Sequence, residues 1–387
     1  MAASPRAAAA GQLLAAVRLL GGRPDLVELR EAAGKSGGGL GAFAGARVPR
    51  GARVLAVGPR QWLPLSAETA WRAARPELRS AAVEFARESP LLAGATAQAR
   101  AMTVGSAVFV AHLLGELDKG RASAAWAHLA AMPREAEAPL FWSGPELAEL
   151  QASPVLGEVE EQRALVAALF DDVVRPSLAA AASPGNWAFC WALLLSRGMG
   201  SVRGGLPLCI PPVLDMFNHF AAPLRGEAEA PRGKGEAPPV GLCDHGYDEQ
   251  TGEYVVTARD EIPPGAELLI SYGDLGNSAL LRKYGFCAES NRFEALRIGS
   301  PGSASGTLLC SYDGEGRARV QAEDAAREPD RARTRQALDH ALGVYATSLK
   351  QDQALLPLAK ARARSAMLLR MGEKRLLLDC LHALDHR

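Results

Sequence analysis

A short turn sequence occurs twice in this chain, at positions far apart. Val-Pro-Arg-Gly-Ala-Arg-Val-Leu at residues 48–55 recurs in outline as Ile-Pro-Pro-Gly-Ala-Glu-Leu-Leu at residues 262–269. Proline fixes the backbone dihedral φ and glycine permits a positive φ, so both copies predict hairpin turns that lead into apolar strands. Strand-forming segments therefore lie on both sides of a long intervening region.

The intervening region has the apolar spacing of helices. Residues 98–117 place Met102, Phe109, Leu113 and Leu117 at intervals of three to seven residues, and residues 158–174 show the same character. Helices inserted into a β-domain are the simplest explanation, and they predict an α+β fold. Helical periodicity also occurs at residues 186–197, where glycines mark the end, and near the C-terminus at residues 325–350, 356–371 and 373–385.

Composition excludes several classes of protein. The chain has 387 residues with 43 basic and 43 acidic side chains, and this balance argues against binding to nucleic acid or to an anionic membrane. The six cysteines are scattered without a Cys-x-x-Cys pair, so they predict neither a zinc site nor a disulfide framework. We find no uninterrupted apolar run long enough for a membrane span, and we expect an intracellular protein with reduced thiols.

The N-terminal segment, residues 1–24, allows two interpretations. It contains Arg6, Arg18 and Arg23, many alanines and no acid, which partly resembles an organelle transit peptide. Residues 12–20 also have the pattern of an ordinary helix that packs on the domain, and we favour this second interpretation.

Polar residues concentrate in two later stretches. Asp215, Asn218 and His219 follow a Pro-Pro pair within an apolar run, and Tyr272 and Tyr284 lie in a second stretch at residues 267–287. We expect the two stretches to meet and form one active site, together with Arg197. A structural histidine and packing tyrosines are the alternative. Metal-dependent hydrolysis by Asp215, His219 and His245 is disfavoured because no metal-ligand spacing joins these residues.

The order of these motifs resembles that of the SET-domain lysine methyltransferases, in particular the branch of the Rubisco large-subunit methyltransferases. The motifs are Gly-Gly-Leu-Gly-Ala-Phe-Ala at residues 38–44, Ser-Arg at 196–197, Asp-Met-Phe-Asn-His at 215–219, Ser-Tyr-Gly at 271–273 and Tyr-Gly-Phe at 284–286. Residues 126–150 resemble the helical insert of this branch. Residues 373–377 resemble the last helix of its C-terminal domain, so the likeness covers nearly the whole chain.

The resemblance implies an α+β fold: a SET domain of small twisted β-sheets with a pseudoknot-like closure, a helical insert and an all-helical C-terminal substrate-binding domain. It also implies domain boundaries. Residues 1–24 are then an N-terminal helix or transit-like segment, residues 25–65 and 186–290 the two parts of the SET domain, residues 66–185 the insert, and residues 291–387 the C-terminal domain.

The resemblance further implies a cofactor, S-adenosyl-L-methionine, and roles for single residues. Tyr272 and Tyr284 are the expected catalytic residues, and no metal is expected. The expected cofactor-binding residues are Gly38, Gly39, Leu40, Arg197, Asn218 and His219. The expected substrate-binding residues are Arg197, Asp215, Tyr272 and Tyr284.

The implied activity is methyl transfer to the side-chain amine of lysine in a non-histone protein, with the Rubisco large subunit or plastid aldolase as first candidates. A non-catalytic SET-fold binding module and a methyltransferase acting on histidine or on nuclear or cytosolic proteins are the alternatives. We expect a monomer whose protein substrate docks in part on the C-terminal domain, with neither nucleic acid nor membrane as a partner. The chloroplast stroma is the expected compartment, and the cytoplasm or nucleus is the alternative.

Overall fold

The computed structural model describes residues 5–32, 39–177, 182–201, 206–220, 240–299, 307–322 and 330–386. The chain divides into two compact units. The first unit comprises Met1–Ala136, Glu161–Phe220 and Glu236–Ser271, and the second comprises Glu137–Glu160, Ala221–Gly235 and Tyr272–Arg387.

The described residues form α-helices and β-strands in alternating groups. The helices are α1 (Pro5–Leu19), α2 (Pro59–Trp62), α3 (Ala67–Ala73), α4 (Pro76–Glu88), α5 (Ala97–Lys119), α6 (Trp126–Ala131), α7 (Gly144–Ala148), α8 (Val155–Leu169), α9 (Arg175–Ser177), α10 (Pro184–Arg197), α11 (Asn277–Tyr284), α12 (Arg331–Gly343), α13 (Leu349–Leu355) and α14 (Ala361–Asp385). The strands are β1 (Val27–Glu31), β2 (Leu40–Ala44), β3 (Arg53–Val57), β4 (Met199–Ser201), β5 (Leu206–Cys209), β6 (Asn218–His219), β7 (Val240–Asp248), β8 (Glu253–Ala258), β9 (Glu267–Ile270), β10 (Ala295–Gly299), β11 (Thr307–Tyr312) and β12 (Ala318–Ala322).

Strand β9 is the centre of the seven-stranded sheet in the first unit. The strand order is β1-β2-β9-β7-β8-β3, and β6 also pairs with β9. One edge of β9 pairs with β7 in parallel. The other edge pairs with β2 at Glu267 and with β6 at Leu269 and Ile270. Two segments that are distant in sequence thus lie end to end along one edge of a single strand.

The repeated turns contact each other across this unit. Val48 and Ile262, which occupy equivalent positions in the two copies, form an isolated antiparallel bridge with reciprocal backbone hydrogen bonds of 2.9 Å. Gly51 and Gly265 have φ of 74° and 78°, as the turn chemistry predicts. The expectation of hairpins was wrong. The strands that flank each turn pair with other partners: β3 pairs with β8, and β9 pairs with β2, β6 and β7.

Helix α5 is the core helix of the first unit. Its N-cap Thr96 accepts a hydrogen bond from the Ala99 amide at 3.1 Å, and its central residues Val108, Phe109 and Leu113 are fully buried against α3, α4 and α10. The segment 97–122 is long and apolar enough for a membrane span by length and composition. Its buried contacts are those of a helix in the interior of a folded unit.

Helix α1 packs on the same unit. Ala10, Leu13 and Val17 are almost completely buried, and the helix contacts α6 and β1. Of the two interpretations of the N-terminal segment, these contacts support the packing helix. Any targeting role of residues 1–24 stays a prediction.

The second unit combines helices with a three-stranded antiparallel sheet, β10-β11-β12. Its core joins Leu296, Ile298 and Leu308 of the sheet to Leu338 of α12 and Leu376 of α14. The predicted fold class is confirmed, but the C-terminal region is not helical throughout. Strand β10 turns only two apolar side chains inward, and a period of two over so short a segment is a weak sequence signal.

A buried ion cluster fastens α14 to α13 within this unit. The Asp352 side chain is fully buried and lies 2.9 Å from Arg370 Nη2 and 2.6 Å from Lys374 Nζ. Burial alone would raise the pKa of Asp352, but hydrogen bonds from Arg370 and Lys374 outweigh it and lower that pKa. Both cations are themselves almost inaccessible, so the carboxylate is what makes their burial tolerable.

Replacing Asp352 with alanine should therefore destabilise the second unit strongly. It leaves Lys374 buried without its ion-pair partner and Arg370 with the Glu149 carboxylate alone, and removing one partner of a buried ion pair typically costs about 3–5 kcal/mol. Urea unfolding of Asp352→Ala measures the loss. Asp339→Ala, which removes an exposed carboxylate from α12, is the control and should cost less than about 1 kcal/mol. Equal losses for the two variants would show that the cluster contributes no more than a surface residue.

The second unit contains two buried carboxyl groups: Glu294, which bonds to the first residue of α11, and Glu373 of α14. Glu294 Oε2 accepts a hydrogen bond from the Asn277 amide at 3.3 Å, whereas Glu294 Oε1 is buried without a partner among the described residues. Glu373 accepts hydrogen bonds from Ser153 and Tyr345, each at 2.8 Å. Burial, assisted by Glu373, raises the pKa of Glu294 to about 8 against the opposing hydrogen bonds from Asn277. Burial raises the pKa of Glu373 to about 7, although Lys374 opposes it.

These pKa values predict a stability that falls as pH rises. Between pH 4.5 and about 8 the folded chain binds more protons at Glu294 than the unfolded chain does, so the free energy of unfolding decreases across this window and levels off above it. Glu294→Gln should flatten the decrease, because glutamine does not titrate. Thermal unfolding followed from pH 5 to pH 8 tests this, with the exposed Glu289→Gln as control. An unchanged slope in Glu294→Gln would contradict the assignment.

Candidate active site

Asp215 lies at the centre of a buried polar network in the first unit. Its side chain has no exposed surface, and the residue belongs to a 3₁₀ turn, Leu214–Met216, directly before β6. Oδ1 lies 3.0 Å from Nε2 of His128, and Oδ2 lies 3.1 Å from Nη1 of Arg197. Burial alone would raise the pKa of Asp215, but His128 and Arg197 more than offset this and hold that pKa below its ordinary value. The group is therefore a carboxylate at neutral pH.

Arg197 reaches this network from the end of α10. Ser183 caps the helix by accepting a hydrogen bond from Asn186 at 3.1 Å, Pro184 begins it, and Gly198 follows its last residue, so the sequence places Arg197 at the C-terminus of the helix. Nη1 of Arg197 donates to the Asp215 backbone carbonyl at 2.8 Å. Nε of Arg197 is buried and has no hydrogen-bond partner among the described residues. A buried donor without a partner is costly, and it marks a place where a ligand carboxylate or carbonyl would fit.

The turn that carries Asp215 is conformationally strained. Val213 has φ of 69°, a value that a β-branched residue rarely adopts. Such strain typically costs about 1–3 kcal/mol and persists where surrounding contacts hold it. The contacts here include the full burial of Val213 and Leu214, the backbone hydrogen bond from Met216 to Val213, and the hydrogen bonds of Asp215 to α6 and α10.

Asn218 lies on β6 next to β2 and β9. Its Nδ2 donates to Oε1 of Glu267 at 2.7 Å. A Cβ atom on Gly41 would lie 3.1 Å from both of those atoms, so only glycine leaves the pair undisturbed. Asn218 is half-buried, and its amide can contribute both a donor and an acceptor to a polar ligand.

The remaining predicted cofactor residues are placed as follows. His219 is buried on β6 and pairs with Ile270 through its backbone, while Leu40 is buried on β2 opposite Glu31. Gly39 directly precedes β2, and a Cβ atom there would meet nothing within 4 Å. Gly38 lies outside the described residues. The first unit thus brings Arg197, Asp215, Asn218, His219 and the glycine-containing strand β2 together around β6 and β9.

Tyr272 and Tyr284 form a pair within the second unit. Their ring centroids are 4.6 Å apart at an interplanar angle of 31°, and Phe286 lies 6.1 Å from Tyr284. Both tyrosines are half-buried, and burial raises the pKa of Tyr284. The Tyr284 hydroxyl therefore stays protonated at neutral pH and can donate as well as accept a hydrogen bond.

The position of Tyr284 depends on the glycine that follows it. Gly285 ends α11 in the left-handed conformation, with φ of 80°. A Cβ atom on Gly285 would lie 2.5 Å from the backbone carbon of Glu137, closer than any side chain is tolerated. Tight backbone packing thus fixes the end of the helix that carries this tyrosine.

Sequence reasoning missed two residues of this network, His128 and Glu267. His128 lies in the predicted helical insert, 87 positions from Asp215, and a single histidine in an apolar helical segment gives no sign of its partner. Glu267 begins a predicted strand, 49 positions after Asn218, and nothing local distinguishes it from a surface acid. Both contacts are tertiary and leave no short-range pattern.

No metal centre occurs in the part of the chain that the structure describes, where groups of three or more histidine, cysteine or acidic side chains suited to a metal ion are absent. Asp215 is instead paired with His128 and Arg197, and Nε2 of His245 donates a hydrogen bond to the Ser271 carbonyl at 2.9 Å. Both oxygens of the Asp215 carboxylate are thus engaged by protein side chains.

Comparison with known proteins gives one family match and several structural matches. Residues 331–377 match the family model described as Rubisco LSMT substrate-binding. No curated protein sequence matches the chain. The crystal structure of the SET domain of LSMT bound to lysine and AdoHcy aligns with a TM-score of 0.69 and 16% identity over 98% of this chain and 91% of that chain. The structure of Rubisco LSMT bound to sinefungin and monomethyllysine aligns with a TM-score of 0.66 and 16% identity, over 98% and 92% of the two chains.

The chain has the SET-domain fold of Rubisco LSMT. A third structure, Rubisco LSMT bound to AdoMet, gives a TM-score of 0.67 at 17% identity and covers 98% of this chain and 92% of that chain. The resemblance predicted from the order of motifs is thereby confirmed. The LSMT-like fold places Arg197, Asn218 and His219 in one polar region, although the sequences have diverged widely.

Gly41→Ala tests the packing of this polar region. The added methyl group must displace Asn218 Nδ2 or Glu267 Oε1, so we expect a loss of about 1–2 kcal/mol in the free energy of unfolding and a shift of the Asn218 side-chain amide resonance. Gly246→Ala in β7 is the matched control, because a Cβ atom there meets nothing within 4 Å. An unchanged Asn218 resonance in Gly41→Ala would contradict this account of the glycine.

Proposed function

We propose that this protein transfers methyl groups from S-adenosylmethionine to the side-chain amine of lysine in a non-histone protein. The observation that carries the proposal is the shared fold over 98% of the chain with structures that hold lysine or monomethyllysine together with AdoHcy or sinefungin. The match of residues 331–377 to an LSMT substrate-binding region supports a protein as the substrate.

The polar region of the first unit fits the requirements of the cofactor. S-adenosylmethionine supplies an activated methyl group on a sulfonium cation, and it also carries a carboxylate, an ammonium and an adenine. Arg197 has a buried Nε donor without a partner, which suits a carboxylate. The Asn218 amide would bind the amino-acid head, and the backbone of His219 would pair with the adenine. Gly38, Gly39 and Gly41 would let the backbone approach the ligand, with Leu40 beside it.

The paired tyrosines fit the requirements of the lysine amine. Only a neutral amine is a nucleophile, and a lysine with a pKa of about 10.4 is almost entirely protonated at pH 7. Desolvation and a nearby positive charge both lower such a pKa. Tyr272 and Tyr284 are half-buried, so their hydroxyl groups would orient the amine and their ring faces would accommodate the methylated cation. Catalysis would come from positioning and desolvation without a covalent intermediate.

The substrate we propose first is the Rubisco large subunit or plastid aldolase, which would place the enzyme in the chloroplast stroma. The second unit, whose helices α12 and α14 include the matched region, would dock the protein substrate. We propose that the enzyme acts as a monomer. Methyl transfer from labelled cofactor to purified Rubisco and to purified aldolase distinguishes the two. Labelling of other proteins only, in an extract of the source, would reject both substrates while leaving the reaction intact.

Tyr272→Phe separates catalysis from cofactor binding. Loss of one orienting hydroxyl should lower kcat about 100-fold, whereas the Kd of S-adenosylhomocysteine in calorimetry should change less than about threefold. Tyr247→Phe, a tyrosine of β7 in the first unit, is the control for both quantities. Equal loss of binding and turnover would assign Tyr272 to the cofactor site. If the wild-type chain binds no S-adenosylhomocysteine, the protein is a non-catalytic SET-fold module.

A further inference from the structure

The Asp215 carboxylate has two oxygens in a place that water does not reach. Arg197 approaches it through Nη1 alone, and the same nitrogen also donates to the Asp215 backbone carbonyl at 2.8 Å. The pair is therefore not the two-pronged arrangement in which an arginine satisfies both oxygens of a carboxylate. The second oxygen, Oδ1, depends on a different partner.

That partner is His128, on helix α6. The histidine is 5% exposed, and its Nε2 lies 3.0 Å from Oδ1. A carboxylate can only accept hydrogen bonds, so Nε2 must carry the proton. Without His128, Oδ1 would be a buried charged oxygen lacking this donor, which costs more than an ordinary lost hydrogen bond.

The Asp215 network includes or adjoins two residues that face the proposed ligand, Arg197 and Asn218. The carboxylate and the carbonyl of Asp215 together fix the guanidinium of Arg197, whose Nε is the buried donor without a partner. Asp215 also lies in the turn that follows Val213, whose φ is 69°, and only Phe217 separates this turn from Asn218 on β6. A carboxylate that rotates or takes up a proton would lose its hold on Arg197.

We propose that His128 is a positioning residue, which acts through Asp215 to hold the Arg197 guanidinium in the orientation that binds the carboxylate of the cofactor. The ligand in this proposal rests on the proposed function, whereas the positioning of Arg197 concerns the ligand-free chain. His128 contributes no atom to the ligand. Its effect is on how well Arg197 is preorganised.

The chain offers a matched control in His112 on α5. Its Nε2 also makes a hydrogen bond, at 2.9 Å to the Pro64 carbonyl, and it belongs to the same unit as His128. His128→Gln is the conservative variant, because the glutamine amide nitrogen can take the place of Nε2. His128→Ala removes a hydrogen bond to Asp215, which in turn binds Arg197, whereas His112→Ala removes a hydrogen bond to the Pro64 carbonyl.

The experiment measures binding of S-adenosylhomocysteine by calorimetry and the Arg197 Nε–H resonance by ¹⁵N NMR in the ligand-free chain. Loss of a hydrogen bond to a charged group predicts about tenfold weaker binding for His128→Ala. His128→Gln should recover most of the affinity, and His112→Ala should bind as the wild type does. In an Arg197→Ala background, His128→Ala should weaken binding by less than about twofold, because the two residues act as a unit. The Arg197 resonance should shift or broaden in His128→Ala alone.

The possible outcomes distinguish a failure of the proposed function from a failure of the positioning role of His128. If the wild-type chain fails to bind S-adenosylhomocysteine, the proposed function falls, and the NMR comparison still tests the positioning of Arg197. If His128→Ala binds normally and leaves the Arg197 resonance unchanged, the positioning role is wrong. An equal loss of affinity in the wild-type and Arg197→Ala backgrounds would also overturn it, since His128 would then not act through Arg197. If His128→Ala fails to fold, His128→Gln is the deciding variant. An affinity and an Arg197 Nε–H resonance that differ from those of the wild type would then contradict the proposal.

Discussion

The burial of one carboxylate, that of Asp215, organises the candidate active site. A fully buried charge is tolerated only where its partners are fixed, and the partners here come from helices α6 and α10. The same residue lies in the turn that follows Val213, whose φ is 69°, two positions before Phe217. A single side chain thereby connects α6, α10 and the turn before β6, which are separate in sequence. The cost of leaving any of these groups unpaired is what makes the local geometry specific.

Pairing with strand β9 is the second constraint on this polar network. Because β2 and β6 share one edge of β9, Gly41, Asn218 and Glu267 are adjacent although they belong to three separate strands. In the second unit the corresponding constraint is packing of the backbone: Gly285 ends α11 against Glu137 and so determines where Tyr284 lies. Hydrogen bonding positions the polar residues, and close contact positions the aromatic pair. Both kinds of contact restrict the orientation of the side chains, as catalysis by positioning requires.

Much of the fold was predictable from local patterns. Glycines and prolines marked the two related turns, helical periodicity marked α5, α10 and α14, and the order of motifs indicated a SET-domain fold. The errors arose where pairing is not local. The turns at Gly51 and Gly265 were expected to close hairpins, yet the strands beside them pair with distant partners, because turn chemistry fixes φ and not the choice of neighbouring strand. The sheet β10-β11-β12 was missed because its strands are short and each shows few inward apolar residues.

The sequence alone determined which residue types could serve the chemistry: an arginine at the end of a helix, an asparagine and a histidine in adjacent positions, two tyrosines, and the glycines of the first motif. These follow from composition, spacing and the resemblance to a family. Only the tertiary structure decided that Asp215 pairs with His128 and Arg197, and that Asn218 pairs with Glu267. The physical reason is that partners of buried polar groups are selected by desolvation and by long-range strand pairing. Neither of these leaves a periodic signal in the chain.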